Sequence, residues 1–307
     1  MPRPLRFVPD KALVEITTRT FQGRLLLRPS VDLTDIILGI IGKAQDLYGM
    51  TIHAFVFLST HAHLLLSPRS AGQLALFMQF VNANVAKEAG RLHRWRDRLW
   101  SRRYRSIVVA DDKAAHARLR YILAHGAKEG LLASPAAWPG PNCIAALTTG
   151  AILRGTWFDR SKESAARQRG ETVFPLQFAT SFDIKLTPLA CMQHLTTDQR
   201  QAEIRRVVDD IKARAEAENK EKGRTPMTVD EILRQDPHSR PAVSTRSPAP
   251  FVHASDDSTE MEFRAAYRAF VDAFRAGALR LRQGARAIRD MFPAGAFPPQ
   301  LPFEVPA

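Results

Sequence analysis

The sequence predicts an α+β fold of the ferredoxin-like class, a split βαβ arrangement related to RRM domains, with one added helix and a mainly α-helical C-terminal extension. The first observation is the order of apolar patterns over the first 130 residues, which reads strand, helix, strand, strand, helix, strand, helix. The second is the short gap between the second and third strands, as expected of a hairpin. The third is size: 307 residues with 45% hydrophobic side chains are enough for this domain and a second unit.

The first strand and the first helix precede the hairpin. Residues 13–20 alternate in polarity and contain several β-branched side chains, which favours a strand. Residues 31–47 repeat apolar side chains at helical spacing, and either Ser30 or Asp32 is placed to cap that helix. Gly49 is expected to end it, because glycine readily adopts the left-handed conformation found after helices.

The predicted hairpin and the second helix follow directly. Residues 52–58 and 61–67 are strand-like, with a tight turn at residues 59 and 60. Residues 72–89 carry apolar side chains along one side of a helix, and Gly90 is its expected C-terminal stop.

A short strand and the added helix complete this domain. Residues 106–110 are apolar and rich in β-branched side chains, which predicts a fourth strand. Asp111 and Asp112 are suitable N-terminal caps for a helix over residues 113–129, and Gly130 is expected to close it.

The third predicted strand carries His61 and His63, two positions apart within an apolar run. Because side chains alternate along a strand, both imidazoles are expected on one face, while Ala62, Leu64 and Leu66 face the core. Neutral imidazole is a common ligand of divalent metal ions, so the pair predicts two positions of a metal site. The alternative is that each is a hydrogen-bonded core residue, as a single histidine on an apolar strand usually is.

The chain is strongly basic. Lys and Arg number 44 against 31 Asp and Glu, which gives a formal net charge of +13 and a pI near 10.3. The first 150 residues hold 20 basic and 10 acidic side chains, so most of the excess lies in the first half. This distribution favours a polyanionic partner that binds mainly to the first half.

Residues 90–105 combine arginine with aromatic side chains. Seven arginines stand against one aspartate, with Trp95, Trp100 and Tyr104 between them. Guanidinium groups pair with phosphates and flat rings stack on unpaired bases, which predicts contact with a nucleic acid. The alternative is a solvated basic loop whose tryptophans anchor the core. The arginines assigned to nucleic-acid contact are Arg94, Arg96, Arg98, Arg102, Arg103 and Arg105.

The added helix carries Tyr121 and His125, which stand four positions apart and are therefore expected on one face. A tyrosine oxygen can attack a phosphodiester once a metal ion neutralises the phosphate and an arginine holds it. Tyr121 is thus the candidate nucleophile, and His125 is a candidate third metal ligand. Arg118 and Arg120 flank the tyrosine and are candidate phosphate clamps, although an exposed helix face explains them equally well.

Four stretches of the first 140 residues or so share a pattern with a known family. They are His61-Ala-His63 followed by three leucines, the Trp-Ser-Arg-Arg-Tyr-Arg run at 100–105, Arg-Tyr121-Ile, and Glu129-Gly-Leu-Leu. In these stretches the chain resembles the HUH single-tyrosine transposases, and more closely the REP-associated tyrosine transposases. The resemblance implies that His61 and His63 bind Mg or Mn and that Tyr121 attacks single-stranded or hairpin DNA. It further implies a 5′-phosphotyrosine intermediate and a free 3′ hydroxyl.

The chain departs from that family at two positions. Four residues after the tyrosine the family usually has an amide side chain that completes the metal site, whereas this chain has His125. Gly126 follows where the family commonly has proline. Histidine can still bind a metal, but three imidazoles suit a softer ion than Mg. Some relatives exchange the tyrosine helix within a dimer, and the sequence is compatible with a monomer or a homodimer.

The sequence divides into an HUH domain over residues 1–140 and a mostly helical extension over 141–307. A Pro-Gly turn follows Trp138, and no clear periodicity is visible from there to about residue 182. The elements expected beyond it are a long polar helix over 197–222, a short helix starting at 228–231, an exposed Pro- and Ser-rich linker over 236–255, and a final amphipathic helix over 260–291.

Several classes of protein are disfavoured. Cys143 and Cys191 are the only cysteines, which fits a reducing cytosol and leaves no pair for a zinc knuckle. The N-terminus has no secretory apolar region, and no run of about 18 apolar residues occurs, so we expect a cytoplasmic protein that does not enter the membrane. The chain has no GxxxxGK motif, so no nucleotide cofactor is expected.

Two functions fit the sequence. The first is a DNA transposase that nicks and rejoins DNA through Tyr121, a reaction that needs no ATP because the tyrosine ester conserves the bond energy. The alternative is a non-catalytic DNA-binding protein that descends from such a transposase and keeps its fold and basic face. A hydrolytic phosphoesterase that uses the two histidines as acid and base is a weaker third option.

Overall fold

An antiparallel sheet of four strands forms the centre of the computed structural model, which describes residues 5–128, 130–241, 250–284 and 291–297. The strands are β1 (Leu13–Arg19), β2 (Thr51–Leu58), β3 (His61–Ser67) and β4 (Arg105–Val109). They are ordered β2-β3-β1-β4, so β3 lies between β1 and β2, and neighbouring strands run antiparallel. The predicted strands and the hairpin are present, and the protein has a mixed α+β fold.

Three helices connect and cover these strands: α1 (Val31–Tyr48), α2 (Ala71–Leu92) and α3 (Asp112–Ala124). Each begins after a side chain that accepts a hydrogen bond from a backbone N–H of the first turn; these caps are Ser30, Ser70 and Asp111. Of the two caps considered for α1, the structure uses Ser30. Gly49 ends α1 in the left-handed conformation, as predicted, with φ of 60°.

The prediction that Gly90 ends α2 is wrong. The helix continues through Gly90 to Leu92, and His93 is its C-cap. The carbonyl of Gly90 accepts a hydrogen bond from the N–H of Trp95 at 2.8 Å, and a Cβ at Gly90 would lie only 3.0 Å from the Trp95 carbonyl oxygen. Gly90 therefore lets the chain fold back against the last turn of the helix instead of ending it.

The added helix is also shorter than predicted, because α3 ends at Ala124 and His125 already has an extended backbone. In a longer helix the carbonyl of Tyr121 would accept from the backbone N–H of His125, but here the ring Nδ1 of His125 occupies that carbonyl at 2.7 Å. Gly126 follows with φ of 94° and turns the chain away. Glu129, the predicted end, lies outside the described residues.

The two faces of the sheet have different partners. Helix α3 packs across one face, against β2, β3 and β4. The opposite face carries wholly buried side chains, namely Val14, Ile16, Ala62, Leu64 and Leu66. These join the buried side chains of α1 and α2 in one core. The alternation along β3 therefore directs its two histidines toward α3, as the sequence predicts.

The second half contains a two-stranded antiparallel sheet that the sequence analysis did not predict. Strands β5 (Leu153–Phe158) and β6 (Ala179–Ile184) pair with each other and pack on α1. The approach is close at Gly39 and Gly155, because a Cβ on Gly39 would lie 2.1 Å from the carbonyl carbon of Thr156. Glycine at both positions lets the backbones of α1 and β5 approach this closely. The local sequence pattern of β5 and β6 does not indicate this packing.

The remaining described helices agree only partly with prediction. They are α4 (Ile144–Thr149), α5 (Arg160–Gln168), α6 (Thr197–Glu221), α7 (Val229–Arg234) and α8 (Asp257–Arg282). Helices α6 and α7 match, whereas α8 starts earlier and ends earlier than the expected 260–291, of which residues 285–290 lie outside the described part. The aromatic side of α8 packs on the N-terminal segment, where the rings of Phe270 and Phe7 stack at 4.4 Å. None of the described helices is long and apolar enough to cross a lipid bilayer.

The prediction of an exposed linker over residues 236–255 is wrong for the two parts that the structure describes, 236–241 and 250–255. The carbonyl of Ser239 accepts a hydrogen bond from the N–H of Leu25 at 3.1 Å. Val252 is 4% exposed and belongs to the core, and residues 242–249 lie outside the described part. Both described ends are therefore bound to the first half of the chain.

Candidate metal centre and tyrosine site

The histidine pair lies on the face of β3 that α3 covers. His61 and His63 are in register with Arg19 and Thr17 of β1, and their ring centroids are 5.2 Å apart. His63 is 5% exposed and His61 is half-buried. The sequence prediction that both imidazoles share one face is confirmed by this arrangement.

His125 joins this pair at the end of α3. Its ring centroid lies 4.4 Å from that of His63 and 5.6 Å from that of His61. One nitrogen from each of the three rings lies within 4.8 Å of the others, and no other group of this kind occurs in the described ranges. The earlier end of α3 does not separate His125 from Tyr121, whose ring centroid is 4.5 Å away.

The hydrogen bonds of the three rings leave their Nε2 atoms for a ligand. Nδ1 of His125 donates to the Tyr121 carbonyl at 2.7 Å, and Nδ1 of His63 donates to Oε1 of Glu15 at 2.8 Å, since a carbonyl and a carboxylate can only accept. Nδ1 of His61 is hydrogen-bonded to Oγ1 of Thr60 at 2.8 Å. Nε2 of His125 is buried and has no hydrogen-bond partner in the part of the chain that the structure describes. An unpaired buried nitrogen facing two other imidazoles fits a divalent metal ion.

The protonation of the cluster also fits a metal. Burial lowers the pKa of His61 well below its usual value, and the neighbouring His63 and His125 lower it further. Burial, followed by the charge of His63, lowers the pKa of His125 to about 3. At neutral pH these two imidazoles are therefore neutral, which is the form that binds a metal ion.

Glu15 on β1 supports the cluster and was missed by the sequence analysis. It is 3% exposed, and its carboxylate contacts His63, His253 and Arg118. Burial favours the neutral acid, but the hydrogen bonds and charges of His253 and His63 outweigh it and hold the pKa of Glu15 well below its usual range. The sequence did contain a signal for this role, because Glu15 is an acidic side chain within an apolar strand, on the same face as Thr17.

Tyr121 lies beside the cluster with two cations over its ring. The guanidinium carbon of Arg118 is 4.6 Å from the ring centroid, and Nζ of Lys128 is 4.4 Å away. The ring of His63 is 5.5 Å from that of Tyr121. The phenol, the three imidazoles and two positive charges therefore share one site, and Lys128 is a member that the sequence analysis did not single out.

Arg120 is placed differently from Arg118. Its guanidinium forms an ion pair with Asp210 of α6, on another side of α3. The structure thus brings one of the two arginine candidates to Tyr121 and ties the other to the second half of the chain.

The basic run crosses the end of the sheet next to the histidines. The N–H of Ser101 donates to the carbonyl of Arg19, which is the residue in register with His61. All six candidate arginines of the run are exposed: Arg94, Arg96, Arg98, Arg102, Arg103 and Arg105. These cations are therefore available at the surface beside the candidate metal centre.

The aromatic residues of the run are held by the protein. The indole N–H of Trp100 donates to the carbonyl of Asn82 at 2.8 Å, and that of Trp95 donates to the carbonyl of Arg98 at 3.1 Å. Tyr104 lies under the guanidinium of Arg6, at 4.1 Å from its ring centroid, and burial raises the pKa of its hydroxyl. The three rings are half-buried, so they act as anchors of the run and retain only part of their surface for stacking.

The neutral state of His125 predicts a pH-dependent stability. The pKa of His125 is about 3 in the folded chain against an ordinary value of 6.5, so between these values the unfolded chain binds more protons and stability falls as pH falls. Between pH 7 and pH 5 the free energy of unfolding should fall by about 2 kcal/mol more in wild type than in His125→Gln, which lacks this titrating group. Urea unfolding in EDTA at both pH values measures this. His116→Gln, at an exposed position of α3, should keep the pH dependence of wild-type stability. If His125→Gln kept it too, the pKa of His125 would not be lowered in the folded protein.

No protein-family model matches the sequence, and no curated protein matches it. Solved structures similar to part of the chain include a tRNA(His) guanylyltransferase from Saccharomyces cerevisiae, with 12% identity and a TM-score of 0.32 over 63% of this chain and 96% of the other. A candidate transposase from Deinococcus radiodurans has 16% identity and a TM-score of 0.27 over 39% of this chain and 95% of the other. A REP-associated tyrosine transposase bound to a REP hairpin has 14% identity and a TM-score of 0.40, over 64% and 99%. The solved structures to which the chain is similar thus include a REP-associated tyrosine transposase and a candidate transposase.

Proposed function

We propose that this protein is a metal-dependent DNA transposase that nicks and rejoins single-stranded or hairpin DNA through a 5′-phosphotyrosine intermediate. One observation carries the proposal: the phenol of Tyr121 lies within one site with His61, His63 and His125, below the guanidinium of Arg118. A nucleophile, a set of neutral metal ligands and a cation that can bind phosphate are the parts that phosphodiester transfer needs.

The chemistry of this chain's own residues follows from their positions. The Tyr121 oxygen forms a bond to the phosphorus as the bond from phosphorus to the 3′ oxygen breaks; the phenol gives up its proton and the leaving 3′ oxygen gains one. Arg118 and Lys128, whose charges lie over the ring of Tyr121, are proposed to bind the nonbridging oxygens of the phosphate. A metal on the three imidazoles would polarise the same phosphate. Rejoining is the reverse reaction with a 3′ hydroxyl and requires no nucleotide cofactor.

The three imidazole nitrogens of the site favour some divalent metal ions over others. The proposed divalent metal is Mg or Mn, held by His61, His63 and His125. Mg strongly prefers oxygen ligands, so three imidazole nitrogens favour Mn over Mg, and softer ions such as Zn over both.

The strand order supports the ferredoxin-like assignment within this proposal. In the split βαβ arrangement β3 lies between β1 and β2, and β4 lies on the other side of β1, as in this sheet. Helix α3 is then the added, tyrosine-bearing helix. The proposed HUH domain covers residues 1–140, and the extension covers 141–307.

The DNA partner is proposed to lie along the basic run. The run is joined at Ser101 to Arg19, the residue in register with His61, so a strand bound along the run would pass close to Tyr121. Trp95, Trp100 and Tyr104 are proposed as stacking residues, and Arg118 and Arg120 complete the set of proposed DNA contacts.

The proposal is tested with a hairpin-containing single strand, taken from repeats flanking the protein's own gene and labelled at the 5′ or, separately, the 3′ end. We expect cleavage with Mn, weaker cleavage with Mg and none in EDTA. Because the tyrosine retains the phosphate, protein should become covalently attached only to the fragment that carries the new 5′ end. Tight binding to this strand without an adduct under any metal would instead support the non-catalytic DNA-binding protein.

A further inference from the structure

A segment of the second half extends the central sheet beyond β4. The N–H of His253 donates to the carbonyl of Val108 at 2.9 Å, and its own carbonyl accepts from the N–H of Ala110 at 2.8 Å. This forms a parallel bridge between His253 and Val109. The segment is fixed on both sides of the bridge, because Val252 is buried and the N–H of Ser255 donates to Oδ2 of Asp111 at 2.8 Å. His253 is thus held rigidly against the sheet.

The side chain of His253 reaches the carboxylate that orients His63. Its Nε2 lies 2.7 Å from Oε2 of Glu15, while Oε1 of Glu15 accepts from Nδ1 of His63 at 2.8 Å. Arg118 is farther from the same carboxylate, with Nη1 3.7 Å from Oε2. One buried carboxylate therefore links a residue of the second half to a candidate metal ligand of the first.

We propose that His253 is a positioning residue of the metal centre, which acts through Glu15 on His63, so that the C-terminal half completes the centre. This inference rests on the proposed metal site. Oε1 of Glu15 is hydrogen-bonded to His63 and Oε2 is in close contact with His253, so the carboxylate is held from both sides, and the proton on Nδ1 of His63 stays directed away from the ligand side of the ring. Second partners of this kind set the ring orientation and the basicity of a metal-binding histidine.

The position of His253 also matters for Arg118. If the contact with His253 is lost, Oε2 of Glu15 becomes a buried acceptor whose nearest remaining cation is Arg118. The carboxylate and the guanidinium would then move toward each other. That shift would pull Glu15 from His63 and Arg118 from the ring of Tyr121, so one substitution far along the chain would disturb both the metal ligand and the phosphate clamp.

The test is Mn²⁺ affinity of the full-length protein without DNA, measured from free Mn²⁺ by electron paramagnetic resonance. We expect His253→Ala to weaken binding about tenfold, the lower end of the effect of removing an outer partner of a metal ligand. His253→Gln, whose amide N–H can replace Nε2, should stay within about threefold of wild type. His194→Ala removes an exposed histidine elsewhere in the second half and should bind as wild type does. Binding of single-stranded DNA in EDTA should change much less than Mn²⁺ affinity, because the exposed arginines of the basic run remain in all four proteins.

The outcomes separate this inference from the proposed function. Wild-type affinity in His253→Ala would overturn the positioning role and leave the metal site intact. If wild type bound neither Mn²⁺ nor Zn²⁺, the proposed metal site would be wrong, and this inference with it. If His253→Ala unfolds, His253→Gln decides: tenfold weaker binding in a folded His253→Gln protein contradicts positioning through the Nε2 contact.

Discussion

Tyr121→Phe is expected to abolish formation of the DNA adduct and to lower cleavage on the order of 10³-fold or more, because the only atom removed is the proposed nucleophile. The contacts of Tyr121 with His125, Arg118 and Lys128 are made by its ring, which phenylalanine keeps. Affinity for the same hairpin strand should therefore stay within about twofold of wild type, since the charges that bind the backbone are unchanged. Gel analysis of the labelled strands and a binding titration in EDTA measure the two effects on one preparation.

Tyr104→Phe is the matched control for this variant. Tyr104 lies in the basic run, and its hydroxyl is buried with no hydrogen-bond partner among the described residues, so its removal should leave both cleavage and binding close to wild type. If Tyr104→Phe lost cleavage and Tyr121→Phe kept it, the nucleophile would be Tyr104 of the basic run. Equal cleavage by both variants and wild type would exclude Tyr121 and Tyr104 as the attacking residue and overturn the proposed mechanism.

The parts of the site that the sequence could predict are those set by local geometry. Alternation along β3 is enough to place His61 and His63 on one face. Tyr121 and His125 were placed together by helical spacing, although the helix ends at Ala124. They remain close because the His125 ring caps the Tyr121 carbonyl, a side-chain interaction that spacing alone does not reveal.

The parts that could not be predicted depend on contacts between distant segments. Glu15 and His253 are separated by more than two hundred residues and meet only because residue 253 pairs with the edge of β4. A Pro- and Ser-rich composition favours an exposed segment, but the edge of β4 offers hydrogen bonds that composition does not encode. The strands β5 and β6 were missed for a similar reason, since their pairing and their contact with α1 at Gly39 stabilise short segments of weak pattern.

The largest effect on the metal is expected from His61→Ala and His63→Ala, each of which should lower Mn²⁺ affinity by more than about 100-fold, since removing a ligand should exceed the effect of removing its outer partner. The two variants should differ in stability. Among the described residues, the side chain of His61 forms a hydrogen bond only with Thr60 in the adjacent turn, so its loss should cost within about 1 kcal/mol in the metal-free protein. His63 donates to the buried Glu15 carboxylate, and its loss should cost about 1–3 kcal/mol because that oxygen is left without its donor.

This contrast is measured by urea unfolding in EDTA beside Mn²⁺ titration of the same proteins. His63→Gln serves as the comparison, because its amide can still donate to Glu15, whereas an amide is a weaker ligand than imidazole. It should recover most of the stability and little of the affinity. If His63→Ala were as stable as His61→Ala, then Glu15 would not depend on His63 for its buried charge, and the link from His253 through Glu15 to the metal centre would lose its physical basis.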